Sequence, residues 1–268
     1  MKISSVPEFK FNPEYSNCIW QLWLQGDENK PDIVKRCMNS VQKFSGNRKV
    51  ITLSEKNLNE YIELPDFILF KYKKGIISKT HLSDYIRLVL LAKYGGTWID
   101  ATCFQTSEIP QDILNSDFFI FKSEAWMTFP TPPDNLDFLD YIQPFYGQVY
   151  HAGSSWFIHA QPNSPIILTA LEMLNEYWRN NNKMIDYFLV HNLITLSIMS
   201  SETNKDSYNK MPSYSTKRPH ILYFSQFKKF NLNAFNNMKK WSFIHKLTYK
   251  KPQRDILEDS FMKYILYN

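Results

Sequence analysis

Residues 83–102 read SDYIRLVLLAKYGGTWIDAT, and the elements of this run decide the fold. Leu82, Tyr85, Ile86, Val89 and Leu90 recur at the spacing of an amphipathic helix. Ser78 or Thr80 can cap its start, and Gly95-Gly96 supplies a stop after Tyr94. Residues 97–101 (TWIDA) follow at once as a short strand. Asp84 and Arg87, three residues apart, share one helix face, and Asp100 arrives at the carboxyl end of the strand. In open α/β sheets, ligands occupy the crevice beyond the carboxyl ends of strands.

The flanking sequence extends this pattern. Residues 18–25 (CIWQLWLQ) read as a first buried strand, rich in β-formers. Pro31 opens a helix over 32–44, residues 49–53 (KVITL) form a second strand, and Ser54-Glu55 marks a further helix cap. This β-α-β-α opening predicts an α/β layer fold with parallel strands. Further strands are expected at 118–121 (FFIF) and 156–160 (WFIHA), with helices over 164–180 and 183–200. Beyond residue 201 the periodicity weakens, and 221–224 reads as a strand. No repeat, low-complexity tract or linker interrupts the chain. We expect one domain, with residues 1–200 as scaffold and the basic segment 201–268 packing across it.

Composition excludes several classes. A chain of 268 residues carrying 20 Phe, 16 Tyr and 7 Trp can build a substantial core, which rules out disorder. Glycine is scarce, at about 2.6% against a usual roughly 7%. The seven glycines form neither G-x-G-x-x-G nor G-x-x-x-x-G-K-[ST], which excludes the usual dinucleotide fingerprint and the P-loop. Cys18, Cys37 and Cys103 form no C-x-x-C pair and suit buried thiols in a reducing cytoplasm. No secretory h-region opens the sequence. The longest uncharged run, 141–171, is broken by Pro144, Pro162 and Pro165, so no bilayer-crossing helix is expected.

Net charge is +5, but it is unevenly placed. Residues 207–254 carry eleven Lys and Arg side chains and no Asp or Glu, which leaves 20 basic against 26 acidic side chains elsewhere. Such a segment favours an anionic partner, although a solvated basic face accounts for the same run.

Asp84, Arg87 and Asp100 converging near a double glycine could hold sugar hydroxyls and a metal-bound phosphate. Gly95 and Gly96 would then let backbone approach the ligand, and carboxylates suit Mg²⁺ or Mn²⁺. Each feature alone also has an ordinary reading: a helix ion pair, a helix stop, a turn carboxylate.

The whole string, ISKTHLSDYIRLVLLAKYGGTWIDAT, resembles the S-D-x-x-R, G-G and D-x-D block of retaining GT-A glycosyltransferases. It is most similar to the bacterial capsular polysaccharide synthesis family, with related blocks in fungal mannosyltransferases and clostridial glucosylating toxins. The resemblance runs from IWQLWLQG through LPDFILFKYKKGIISKTHLSD to SSWFIHAQPNSPI, IDYFLVH and IHKLTYKK. It implies a single GT-A domain, with a Rossmann-like mixed or parallel sheet flanked by helices and the basic C-terminal segment over the active site.

The resemblance also implies a nucleotide-diphosphate sugar site. Trp20 and Trp23 fall to nucleotide binding, Trp23 stacking on the base. Asp84 and Arg87 hold the donor sugar, Gly95 and Gly96 lie close to it, and Asp100 is the first D-x-D carboxylate. Thr102 occupies the second carboxylate position, where its neutral hydroxyl is a poorer metal ligand. His245 would complete a Mn²⁺ or Mg²⁺ site with Asp100 and Thr102, and Lys246 would neutralise the diphosphate. Ser154 and Ser155 fall near the sugar. Asp186 is the one nucleophile candidate for a double displacement; the other route is retention without a covalent intermediate. The implied donor is UDP-galactose or UDP-glucose, and the implied acceptor is a saccharide on polyprenyl diphosphate. Action at the inner face of a bacterial plasma membrane fits the basic segment's attraction to anionic lipid. Rival readings are a toxin-like protein glycosyltransferase, an inactive sugar-nucleotide binder and, from the basic–aromatic tail alone, single-stranded nucleic-acid binding. The last leaves the central block unexplained, so no nucleic-acid partner is expected.

Overall fold

The β-formers at Ile19–Leu22 make the second strand of a five-stranded sheet in the computed structural model, which describes residues 9–123, 151–250 and 257–268. This strand, β1, lies parallel to both β2 (Val50–Leu53) and β3 (Gly96–Ile99). β5 (Phe118–Lys122) and β6 (Gly153–Ala160) complete the order β2-β1-β3-β6-β5, with β6 antiparallel to both neighbours. The sheet is therefore mixed, with a parallel half built from the opening β-α-β units. A separate antiparallel pair joins β4 (Cys103–Gln105) to β7 (Ile244–Lys246).

Helices cover both faces. On one side, α3 (Lys79–Tyr94) and α5 (Pro165–Asn180) pack together over the sheet. Their Leu82, Tyr85, Ile86, Ile166 and Ile167 meet Trp20, Trp98 and Ile158. α2 (Asp66–Lys73) and α6 (Leu189–Met199) flank α5. On the other side, α1 (Asp32–Lys43) lies against β4. Ile19, Ile99, Phe119 and Phe157 point to this second core with Val41. α4 (Gln111–Leu114) is a single turn.

Segment 201–268 is mostly helical: α7 (Glu202–Lys210), α8 (Lys217–Ser225), α9 (Leu232–Trp241) and α10 (Phe261–Tyr267). Ile33, Val34 and Cys37 of α1 pack with Leu222, Phe235, Leu247 and Phe261 in a third core that fastens this segment to the scaffold. Of the eleven cations in 207–254, Lys251 and Arg254 lie outside the described residues, as does Pro144 of the uncharged run.

Three local expectations need correction. Residues 221–224 are helical within α8. No α-helix follows Ser54: Asn57 Oδ1 accepts from the Ser54 amide at 2.8 Å while its Nδ2 donates to the Thr52 carbonyl, closing a turn before a short 3-10 stretch. The helix expected from 183 begins at Leu189, because Asp186 Oδ1 accepts from the Phe188 amide at 2.5 Å and turns the chain first. Among the described residues, no helix is long and apolar enough to cross a membrane.

Candidate functional site: a buried carboxylate–arginine–lysine cluster

Ser78 accepts a hydrogen bond from the His81 amide and starts α3, as its side-chain chemistry predicts. Two turns later the helix presents Asp84 and Arg87 on one face. Arg87 is 4% exposed, and its guanidinium joins three elements. Nη1 lies 2.9 Å from Asp84 Oδ1 and donates to Ser155 Oγ on β6; Nη2 lies 3.0 Å from Asp100 Oδ1, just past β3. The guanidinium also sits 5.0 Å from the Trp98 ring centre. Trp98 and Asp100 are two residues apart in extended chain and so share a side, which lets Trp98 Nε1 donate to Asp100 Oδ1 at 2.8 Å.

The other oxygen of Asp100 belongs to the C-terminal segment. Lys246 Nζ stands 3.0 Å from Asp100 Oδ2 and 2.6 Å from Thr102 Oγ1. The β4–β7 pairing sets this contact: Cys103 faces Lys246, and the Leu247 amide donates to the Thr102 carbonyl at 2.9 Å. Asp100 and Lys246 retain about a quarter and a fifth of their side-chain exposure, 25% and 21%, so the cluster is open on this edge.

Two carboxylates and two cations make the cluster formally neutral, but its groups are not equivalent. Burial pushes the Asp84 carboxyl up, against Arg87 and with the Asp100 charge adding to it, to about 7. Burial also raises Asp100, yet the Lys246 and Arg87 charges and the Trp98 and Lys246 hydrogen bonds outweigh it and leave Asp100 below its ordinary range. For Lys246 burial acts downward, and Asp100 more than offsets it. Asp84 is thus partly protonated at neutral pH while Asp100 stays charged, which tips the cluster positive and toward an anionic ligand.

Sequence reasoning missed a second layer behind Arg87. His191 Nε2 accepts from the Ser155 amide at 3.2 Å. Burial and then the charges of His151, Arg87 and Lys246 hold this imidazole well below its usual pKa, so it is neutral and able to accept. The His151 ring lies 5.3 Å from that of His191. The available signal for His191 was its place in IDYFLVH, at the start of an apolar helix. Trp98 was legible from its period-two spacing to Asp100.

Several expected residues are elsewhere. Trp20 is fully buried, donates to the Gly95 carbonyl at 2.9 Å and packs its ring among Tyr15, Tyr61 and Tyr94. It offers no face to a nucleotide and is a core residue. Gly95 and Gly96 are also structural. Both have positive φ (68° and 89°) and sit at the start of β3, whereas Asp100 follows its end, roughly 13 Å further along an extended chain. A Cβ on Gly95 would meet Pro162 Cδ at 2.6 Å, and one on Gly96 would collide with the Cys18 carbonyl oxygen, so the pair permits close chain packing instead of ligand approach.

Trp23 is half-buried: it packs against the third core, donates to the Asn29 carbonyl at 3.3 Å and meets Tyr249 edge-on. Ser155 is buried and orients Arg87, while Ser154 is only partly buried. Asp186 precedes α6, and its charge acts on His151. His245 is on the opposite face of β7 from Lys246, fully buried, with Nε2 3.4 Å from Thr106 Oγ1 and a pKa pushed by burial down to about 4.

The donor set does not fit Mn²⁺ or Mg²⁺. Asp100 Oδ1 is engaged by Arg87 and Trp98, and Oδ2 by Lys246. Thr102 is neutral and bound to the same ammonium, and His245 faces away. No group of three or more His, Cys, Asp or Glu side chains able to hold a metal occurs among the described residues. A cleft of about 430 Å³ opens beside the β4–β7 pair, lined by Arg36, Lys43, Phe104, Thr106, Lys239 and Tyr264 among others. It contains none of the cluster; the converging charges around Arg87 identify the chemistry better than volume does.

The chain belongs to a known family: the family model described as capsular polysaccharide synthesis protein matches residues 2–265. Among solved structures, the chain is similar to one described as PaToxG glycosyltransferase, at 12% identity over 72% of each chain with a TM-score of 0.42. It is also similar to a transferase carrying two cysteine-to-serine substitutions, at 11% identity over 81% of this chain and 92% of that one, with a TM-score of 0.36. No curated protein sequence matches the chain.

Proposed function

We propose that this member of the capsular polysaccharide synthesis family is a retaining glycosyltransferase. It moves a hexosyl group, from UDP-galactose or UDP-glucose, to a saccharide carried on polyprenyl diphosphate. The observation that carries this reading is the Arg87 guanidinium shared by Asp84, Asp100 and Ser155 beyond the carboxyl end of β3. That is where an open α/β sheet binds ligands.

In this reading Asp84 and Asp100 meet the donor, through hydrogen bonds to sugar and ribose hydroxyls. Arg87 is too enclosed to do more than hold both carboxylates in place and add positive potential. Trp23, only partly buried, takes the base. Asp186 accepts from the Phe188 amide of its own turn and makes no hydrogen bond or ion pair with Asp84, Arg87, Asp100 or Lys246 among the described residues, which favours transfer without a covalent intermediate. The acceptor hydroxyl then forms its bond to the anomeric carbon on the face from which the nucleoside diphosphate departs. The bond to diphosphate oxygen breaks, and the departing diphosphate takes the hydroxyl proton. Positioning and electrostatic stabilisation of the leaving group carry the rate.

Peripheral action at an anionic membrane is part of the same proposal. Phe224 is 68% exposed, and Tyr223 and Trp241 are also exposed, beside Lys228, Lys229, Lys239 and Lys240. They lie on or next to α8 and α9, and α8 packs against β7, the strand that delivers Lys246. Turnover of α-linked nucleotide sugars followed by NMR tests the reaction class: the expected product keeps the α configuration, and a β product overturns the retaining assignment.

A further inference from the structure

We infer that Lys246 stands in for a divalent cation: Asp100 and Thr102 form a seat for its ammonium, and nucleoside diphosphate binds here without metal. This inference rests on the donor-site reading and specifies how that site handles the diphosphate charge.

Four observations converge on it. The second carboxylate position of the motif is Thr102, whose hydroxyl brings no charge. Lys246 Nζ bridges Asp100 Oδ2 and Thr102 Oγ1, the two groups that would otherwise face a metal ion. Asp100 Oδ1 is taken by Arg87 and Trp98 and Oδ2 carries the ammonium, so a metal ion would have to compete with three donors for this carboxylate. The remaining ligand candidate, His245, faces Thr106 on the opposite side of β7.

The ammonium is also fixed where a phosphate can use it. Its strand is paired with β4, and the Leu247 amide is bonded to the Thr102 carbonyl, so the backbone under Lys246 is tied to the chain that carries Asp100 and Thr102. An ammonium has three N–H donors. Asp100 and Thr102 use two, and no partner takes the third among the described residues. With the side chain 21% exposed, that third donor can reach a phosphate oxygen entering from the open edge. A divalent cation would have to displace the ammonium from Asp100 and then sit beside the charges of Lys246 and Arg87, which repel it. A lysine acting as a point charge on a phosphate is chemically sufficient for the task.

The test is isothermal titration of UDP, GDP and CDP into the wild-type chain, Lys246→Met and Lys246→Arg, each with Mn²⁺ and with EDTA. The nucleotide that binds is expected to do so equally in both buffers, within about twofold. Lys246→Met should weaken it roughly tenfold or more in both, the loss of one charged hydrogen bond, and Lys246→Arg should restore most of it. Binding only with Mn²⁺ overturns the inference and leaves the donor site intact. Undiminished binding to folded Lys246→Met overturns it as well. If no nucleotide binds in either buffer, the donor-site reading falls and this inference with it. Should Lys246→Met fail to fold, the wild-type comparison of Mn²⁺ with EDTA still decides.

Discussion

Asp100 and Lys246 meet at 3.0 Å although 146 residues separate them in the chain. One follows the central strand β3, and the other ends β7, so the ion pair couples the C-terminal segment to the carboxyl end of β3.

Asp100→Asn removes the carboxylate that Arg87 and Lys246 share, leaving Lys246 without its ion-pair partner and Arg87 with Asp84 alone. Breaking a buried pair costs about 3–5 kcal/mol, and the partial exposure of both partners reduces this to about 2 kcal/mol. Urea unfolding should show that loss. A change near zero would mean that the pair does not fasten the C-terminal segment.

Asp84 gives a pH signature of definite sign. Its carboxyl is raised from 3.8 to about 7 on folding, so the folded chain binds this proton more tightly than the unfolded chain. The contribution of this group to stability therefore falls as pH rises from about 4 to about 7. Asp100 has a depressed value, and its contribution is present above its unfolded value and lost only as pH drops below about 4. The buried neutral His191 and His245 act in the opposite direction as pH rises toward about 6.5. The signature is therefore a difference: between about pH 5 and about pH 8 wild type should lose unfolding free energy relative to Asp84→Asn. Equal slopes would place the titration elsewhere.

Gly96→Ala should disrupt folding and not ligand binding as such. It combines φ of 89° with a Cβ driven into the Cys18 carbonyl, and the predicted loss is about 2 kcal/mol or more. A variant of normal stability with selectively lost nucleotide affinity would restore the glycine to the binding site.

The two tryptophans of the first strand region should separate. Trp20→Ala opens a cavity in the main core at a cost of about 3–5 kcal/mol. Trp23→Ala, at a half-buried position, should melt close to wild type and bind nucleotide more weakly. Similar melting losses in both would refute the distinction.

Membrane association should follow charge. Binding to anionic vesicles is expected at low salt and should fall as salt is added, with each nearby lysine contributing about 1 kcal/mol. Absence of binding at low salt would remove the membrane from the proposal.

Much of this was legible wherever local signals agreed. The cap at Ser78, the apolar face of α3 and the stop at Gly95 all point to one helix, and that helix is Lys79–Tyr94. The strands at 19–22, 50–53 and 118–122 follow β-rich runs for the same reason. Segment 221–224 failed because ILYF is a short apolar run with no period of its own; its place in α8 is set by Leu222 packing beneath Phe235 and Leu247. The β4–β7 pair joins residues far apart in sequence, so nothing local announces it. Gly95 and Gly96 were misread for a related reason. A glycine signals close approach, but only the tertiary structure reveals that the approaching groups are Pro162 and Cys18. For Lys246, resemblance supplied the residue and folding supplied its partners.

The most direct test of the donor site is equilibrium binding of UDP-, GDP- and CDP-linked hexoses to the wild type, Asp84→Asn and Asp100→Asn, with folding checked by circular dichroism. One nucleotide sugar should bind the wild type, and its affinity should fall by roughly tenfold or more in both folded variants, as loss of charge-assisted hydrogen bonds requires. Unchanged affinity in both variants, or a wild-type chain that binds none of these donors, would contradict the assignment of this cluster to a nucleotide-diphosphate sugar.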